Sequence, residues 1–175
     1  FFYNPFRRKW CFSIKRDNAR GRVRYYFESD DFLRGVDWDK AVYWTGADRL
    51  DAPEPEASYH PASHGHGCQL YSLNAVAYES LMVGVHYIHR GPENEVCEAA
   101  RIPKLTDLEV SFSRDGFHWD RPDRLGFIKG SRAEGAWDRA YLHSTTGVFV
   151  ICDDKLVFPY TGFSGIAPDG SRGMY

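Results

Sequence analysis

The stretch Leu108-Glu109-Val110-Ser111-Phe112-Ser113-Arg114-Asp115-Gly116-Phe117-His118-Trp119 decides how this chain is read. Its first five residues alternate apolar and polar side chains, the period of a strand with one buried face. Asp115-Gly116 interrupts the pattern and an aromatic run resumes it. Gly116 takes positive φ without steric penalty and Asp115 can bond its own backbone, so the stretch reads as strand, tight turn, strand. A related pattern lies upstream in Tyr25-Tyr26-Phe27-Glu28-Ser29-Asp30-Asp31-Phe32, with Trp38 following. Ser29, Asp31 and Trp38 thus answer Ser113, Asp115 and Trp119, and a repeated turn points to a repeated unit.

Working outward, residues 1 to 14 read as a hairpin turning at Asn4-Pro5-Phe6-Arg7-Arg8-Lys9. Residues 22 to 27 form a third strand ending in the Ser29-Asp30-Asp31 turn, and Trp38 or Tyr43-Trp44 begins a fourth. Periodicity then vanishes from Thr45 to Gly67, a Pro-, Gly- and His-containing loop on one rim. The pattern returns with strands at 71 to 78 and 81 to 88, turning at Glu79-Ser80. A second loop from Arg90 to Pro103, the strand at 108 to 112, and a fourth strand near Gly126-Phe127-Ile128 complete this cycle. A third cycle opens at Gly147-Val148-Phe149-Val150-Ile151, turns at Cys152-Asp153-Asp154-Lys155 and continues through Tyr160. Phe2, Val76 and Val148 take equivalent places, 74 and 72 residues apart.

Four antiparallel strands per cycle is the layout of a β-propeller blade. The reading is therefore an all-β chain of the five-bladed propeller type, about two and a half blades in a single partial domain. A first blade covers 1–50, a rim loop 51–68, a second blade 69–130 and a partial blade 136–175. No stretch holds helical periodicity long enough for a long helix. An ordinary β-sandwich with evenly spaced hairpins is the alternative. Two and a half blades cannot close a ring, so the chain reads as a piece of a longer protein of roughly 350 residues, its open edges covered by the missing blades or by self-association.

The composition agrees with β-structure: 16% of the residues are aromatic, which suits strands and surfaces that stack on flat ligands such as sugar rings. With 22 basic against 24 acidic residues there is no excess positive charge to draw nucleic acid or an anionic membrane. No apolar run reaches the roughly 18 to 20 residues of a membrane span. Cys11, Cys68, Cys97 and Cys152 are far apart and read as isolated, mostly buried thiols. His60, His64, His66 and Cys68 are donors that suit zinc, but their spacing matches no standard motif, and neither a metal site nor a cofactor is expected.

The runs Leu70-Tyr71-Ser72-Leu73-Asn74-Ala75-Val76-Ala77-Tyr78-Glu79-Ser80-Leu81-Met82-Val83-Gly84 and Ser111-Phe112-Ser113-Arg114-Asp115-Gly116-Phe117-His118-Trp119-Asp120-Arg121-Pro122 resemble the five-bladed propeller proteins similar to the N-terminal domain of glycoside hydrolase family 32. Phe2-Tyr3-Asn4-Pro5-Phe6-Arg7-Arg8-Lys9-Trp10 and Trp44-Thr45-Gly46-Ala47-Asp48 fit the same group. That superfamily, with families 32, 43, 62 and 68, includes invertase, levansucrase and arabinanase-like enzymes. The resemblance implies cleavage of glycosidic bonds in a plant or microbial glycan at the propeller axis, and a secreted or periplasmic place for a polysaccharide-degrading enzyme. Sialidases, with their Ser-x-Asp boxes, are a more distant resemblance, since here the Gly directly follows the Asp.

Glycosidases bring two or three carboxylates to one sugar, and in a propeller these lie on the innermost strands. Asp138, between Trp137 and Arg139, is the first candidate: the indole can stack on a sugar, and the guanidinium can lower the carboxyl pKa or grip a hydroxyl. Glu79 is the second catalytic candidate. Asp48, Asn74, Trp137, Arg139 and His143 are expected to bind substrate, with Asp51 beside Asp48 on the rim. Asn74 stands where the superfamily tends to place an Asp, and an amide cannot act as a base. The Asn-Asp-Pro-Asn, Arg-Asp-Pro and Glu-Cys signatures of the sucrose enzymes are missing, and Val96-Cys97-Glu98 carries the last pair reversed. A glycoside hydrolase is the leading expectation, and these departures motivate the alternative, a non-catalytic propeller that binds glycans or a protein. Asp31 and Asp115 read as structural residues of their turns.

Overall fold

A computed structural model describes residues 1–19, 21–34, 37–51, 67–167 and 169–173. The first four strands, β1 (Phe2–Asn4), β2 (Lys9–Asn18), β3 (Gly21–Ser29) and β4 (Val42–Gly46), form one antiparallel meander in that order. The β1–β2 turn closes on Asn4, whose Oδ1 accepts the N–H groups of Phe6 and Arg7 at 3.1 and 3.2 Å. At the end of β3, Ser29 Oγ accepts the Asp31 N–H at 3.1 Å and Asp31 Oδ1 accepts the Leu33 N–H at 2.9 Å.

The second sheet has the order β11-β8-β7-β6-β5, built from β5 (Gln69–Tyr78), β6 (Leu81–Gly91), β7 (Leu105–Ser113), β8 (Tyr141–Ser144) and β11 (Tyr160–Phe163). A separate hairpin pairs β9 (Val150–Cys152) with β10 (Lys155–Val157). The turn after β7 repeats the pattern at Ser29. Ser113 Oγ accepts the N–H groups of Asp115 and Gly116 at 3.3 and 2.7 Å, and Asp115 Oδ1 accepts those of Phe117 and His118, both at 2.8 Å. Gly116 has φ +75°, and a Cβ there would collide with the Asn4 amide, which donates to the Asp115 carbonyl at 2.7 Å. Both expected structural turns are formed, and the second also locks the two sheets together.

The chain is all-β, its sheets are open, and their strands run antiparallel except where β8 meets β7 in parallel at Tyr141 and Thr106. Its three hairpins repeat more evenly than the sequence suggests. Asn4, Tyr78 and Cys152, the last paired residues of their strands, are 74 residues apart at both steps, so Val150 rather than Val148 answers Phe2 and Val76. Within the 136–175 unit the first strand begins at Tyr141, ahead of the opening read at Gly147, because β8 and β11 extend the hairpin beyond β9 and β10. The loop after β6 holds a short helix, α1 (Asn94–Ala100), whose Cys97 is buried. In place of a continuous fourth strand, two antiparallel bridges, Phe112 with Asp120 and Leu108 with Ile128, follow β7.

The sheets stack in chain order. Phe2, Cys11, Tyr26 and Trp44 of the first sheet meet Leu73, Ala75 and Met82 of the second, with Phe117 and Trp119 against them. Trp44, not Trp38, is therefore the buried tryptophan of the first sheet: its indole donates to the Phe117 carbonyl at 2.7 Å, whereas Trp38 sits exposed in a 3-10 turn. On the other face, Val85, Tyr87 and Leu108 pack on Leu142 and Val148 of the third unit. All four cysteines are free, and three of them are buried. Among the described residues no helix is long and apolar enough to cross a membrane.

Candidate functional site

β8 begins level with the start of β5, because Tyr141 pairs with Thr106, Thr106 with His89 and His89 with Gln69. Asp48, Trp137, Asp138, Arg139 and His143 gather toward this end. Glu79 does not. It occupies the exposed β5–β6 turn at φ 50°, and the 10 residues of β5 hold it roughly 30 Å from the strand's start. Paired glycosidase carboxylates lie about 5 to 10 Å apart, so Glu79 and Asp138 cannot act on one bond.

Trp137 is 61% exposed and lies on the Tyr160 ring, 5.5 Å between centroids at an interplanar angle of 29°. Tyr160 donates its hydroxyl to Asp138 Oδ2 at 3.2 Å. Burial and the carboxylate together raise the phenol pKa, so it stays a donor at neutral pH. Gly162 lets this platform sit close, since a Cβ would stand 2.6 Å from Asp138 Cβ and 2.7 Å from the Trp137 ring. Arg139 turns elsewhere: its guanidinium is buried and pairs with Glu134 at 2.9 Å, so Tyr160 rather than Arg139 orients Asp138.

Behind the platform, Lys104 is buried with Nζ 5.1 Å from the Tyr71 ring centroid and 4.6 Å from that of Tyr141, and it donates to the Tyr71 hydroxyl at 3.1 Å. His143 packs against Tyr141, Tyr87 and Phe163 at 4.5, 5.7 and 5.9 Å. Burial, and then the Lys104 charge, lower its pKa and keep the imidazole neutral at pH 7. Asn74 does not face this cluster as a free amide. It donates to the Tyr87 hydroxyl at 2.7 Å, which in turn donates to the Ser144 carbonyl at 2.6 Å, tying β5 to β8.

Asp48 belongs to a larger network. Arg121 reaches both oxygens of Asp51 at 2.9 Å, Glu109 Oε2 at 3.1 Å and Asp48 Oδ2 at 3.3 Å. Arg124 holds both Asp48 oxygens at 2.9 Å. Arg90 donates to Glu109 Oε1 at 2.7 Å and to Asp107 at 3.4 Å, and Arg132 chelates Asp107 at 2.8 and 2.9 Å. Among the described residues four arginines meet four carboxylates here, and Glu109 and Asp51 have no exposed side-chain surface. Burial pushes the Glu109 carboxyl up to about 7, against the pull of Arg90 and Arg121. Burial also opposes ionisation of Asp48, but the Leu50 N–H, Arg124 and Arg121 outweigh it and hold its pKa below the ordinary value. The network fastens Asp48 and Asp51, where the rim loop leaves the first sheet, to β6 and β7. Its chemistry is anchorage, with Asp48, Arg124 and Arg132 at its solvent edge.

Sequence reasoning passed over Glu109, Asp107, Arg90, Arg121 and Lys104. The available signal was that Asp107, Glu109 and Ser111 share one face of β7, a face that reads as solvated until something packs on it. His60, His64 and His66 lie outside the described residues, and among those described no three His, Cys, Asp or Glu side chains could hold a metal ion. Two grooves of about 600 and 500 Å³ flank the turn containing Asp115 and His118, at the Glu79 end of the second sheet. Asp115 there is committed to its turn N–H groups and to His118 Nδ1 at 2.7 Å. No family model, no curated protein and no solved structure matches the chain.

Proposed function

We propose that this chain is a sector of a carbohydrate-binding β-propeller, and that its rim around Trp137, Asp138 and Tyr160 receives a sugar. The observation that carries the reading is the exposed indole braced on Tyr160, with a carboxylate fixed beside it by a phenol. An aromatic plane takes the C–H face of a pyranose while a fixed acceptor takes a hydroxyl, and neither group has to be ordered on binding. The constant step of 74 residues and the stacking of hairpin units in chain order support the propeller reading. So do the outer faces of the stack. Phe1, Tyr3 and Phe32 on the first sheet, and Val150, Ile151 and Val157 on the last hairpin, are exposed apolar groups suited to flanking blades or to another copy.

The resemblance implies hydrolysis as well, which needs a second carboxylate within about 10 Å of Asp138. Glu79 does not supply it, and binding is therefore the function put forward. The experiment is titration of the protein with a panel of plant and microbial oligosaccharides, followed by tryptophan fluorescence. At least one glycan should saturate the signal, and Trp137→Ala should weaken that binding by about tenfold or more while leaving the melting curve unchanged. Binding that survives Trp137→Ala at full strength would refute the site. Release of reducing sugar that depends on Asp138 would instead make the chain a glycosidase.

A further inference from the structure

Among the described residues, Arg24 is a buried cation that meets no carboxylate. Its side chain points from β3 toward β5, where Nε donates to Ser13 Oγ at 2.8 Å, Nη1 to the Tyr71 carbonyl at 3.0 Å and Nη2 to the Ser13 carbonyl. All three acceptors are neutral, and no carboxylate pairs with it among the described residues. Residue 24 is only 7% exposed. A guanidinium has five N–H donors, so two remain after these bonds. Burial pulls its pKa down to about 10, the direction expected of a desolvated charge that no anion compensates. Buried charges are ordinarily paired, because an isolated one is among the most expensive groups to take out of water.

Arg22 lies two residues earlier on the same face of β3. It is half-buried, donates from Nη1 to Gln69 Oε1 at 2.7 Å and covers the Tyr71 ring at 4.7 Å. Gln69 passes its own amide hydrogen to Glu93 Oε1 at 2.9 Å, and Asp17, across the β2–β3 ladder from Arg22, pairs with Lys15 at 3.2 Å, so both nearby acids are engaged by other groups. Same-face neighbours on a strand are about 7 Å apart, a gap that one carboxylate can bridge with an oxygen on each guanidinium. Arg22 is the more exposed of the pair, and Tyr71, whose ring packs edge-on against Tyr141 at 5.6 Å, links both arginines to the platform's end of the stack.

We infer that Arg22 and Arg24 form an anion subsite that takes the carboxylate of an acidic sugar, so that the rim's ligand is a uronic-acid-containing glycan. This rests on the sugar-binding reading above. The probe is oligogalacturonate compared with its fully methyl-esterified form, in which the same rings carry no charge, measured by isothermal titration calorimetry at low and at 0.3 M salt. The acid form should bind at least about tenfold more tightly than the ester at low salt, the advantage shrinking with added salt. Arg22→Gln, at a half-buried position, should erase the preference. Arg24→Lys, which keeps the charge but loses the fork, should reduce it. Equal binding of acid and ester would overturn the subsite while leaving sugar binding intact. A preference for acid that persists in Arg22→Gln would also overturn it. Binding of neutral glycans alone would overturn it too, and failure of every glycan would take the sugar-binding reading down with it.

Discussion

Arg121→Met tests the ionic network most directly. The wild-type guanidinium touches Asp51 twice at 2.9 Å and Glu109 at 3.1 Å, and both carboxylates lie wholly out of solvent. Methionine fills much of the same volume and supplies no charge. Arg124 still approaches Asp51 at 3.4 Å and Arg90 still holds Glu109 at 2.7 Å, so the loss falls at the lower end of the range for breaking a buried pair, about 3 kcal/mol. For a chain of this size that lowers the melting temperature by roughly 6 to 12 °C. The pH dependence adds a sharper test. Burial holds the Glu109 carboxyl up at about 7 in the folded chain against an ordinary 4.5, so between these values the unfolded state gives up its proton first and wild-type stability falls as pH rises through that window. Removing Arg121 raises the folded pKa further and extends the decline to higher pH. Urea denaturation at pH 5.5 and pH 8 should therefore show a larger penalty at pH 8. A loss below about 1 kcal/mol, or an equal loss at both pH values, would refute the reading of Arg121 as the cation that neutralises two buried acids.

Leu73→Ala empties a fully buried position between the two sheets and should cost roughly 2 to 5 kcal/mol in chemical denaturation; a smaller loss would mean the sheets do not pack as described. Gly162→Ala places a methyl 2.6 Å from Asp138 Cβ, so it should displace the Trp137 platform and weaken glycan binding more than it lowers stability, read by calorimetry and thermal melting on one sample. Asp115 has a folded pKa held well below the usual carboxylate range: burial opposes ionisation, but His118, two turn N–H groups and Ser113 outweigh it. Its contribution is present above its unfolded value and is lost only as pH falls through the depressed folded value. Carboxyl NMR should find Asp115 still ionised at pH 3, and a midpoint near the ordinary 3.9 would contradict the turn geometry.

What could be read in the chain is local. Ser113, Asp115 and Gly116 make their turn from their own hydroxyl, carboxylate and φ, and Ser29 with Asp31 does the same. The hairpins and their even spacing follow from such turns and from alternation, because both depend on neighbours a few residues away. What stayed hidden depends on which surface meets which. Nothing near Trp38 or Trp44 says that Trp44 will meet the Phe117 carbonyl, 73 residues on in sequence. Polar positions on β7 look solvated until Arg90 and Arg121 close over Asp107 and Glu109. The candidate site divides the same way. Trp137 beside Asp138 is visible as an adjacent pair, whereas bracing by Tyr160, the diversion of Arg139 to Glu134 and the removal of Glu79 to the opposite end of β5 required the strands to be placed. By itself the sequence determined the turns, the hairpin strands and their spacing, since short-range hydrogen bonds and side-chain alternation suffice for those. Only the tertiary structure decided which charges are buried together and which carboxylate stands beside the indole, because desolvation and long-range contact exist only once the sheets have stacked.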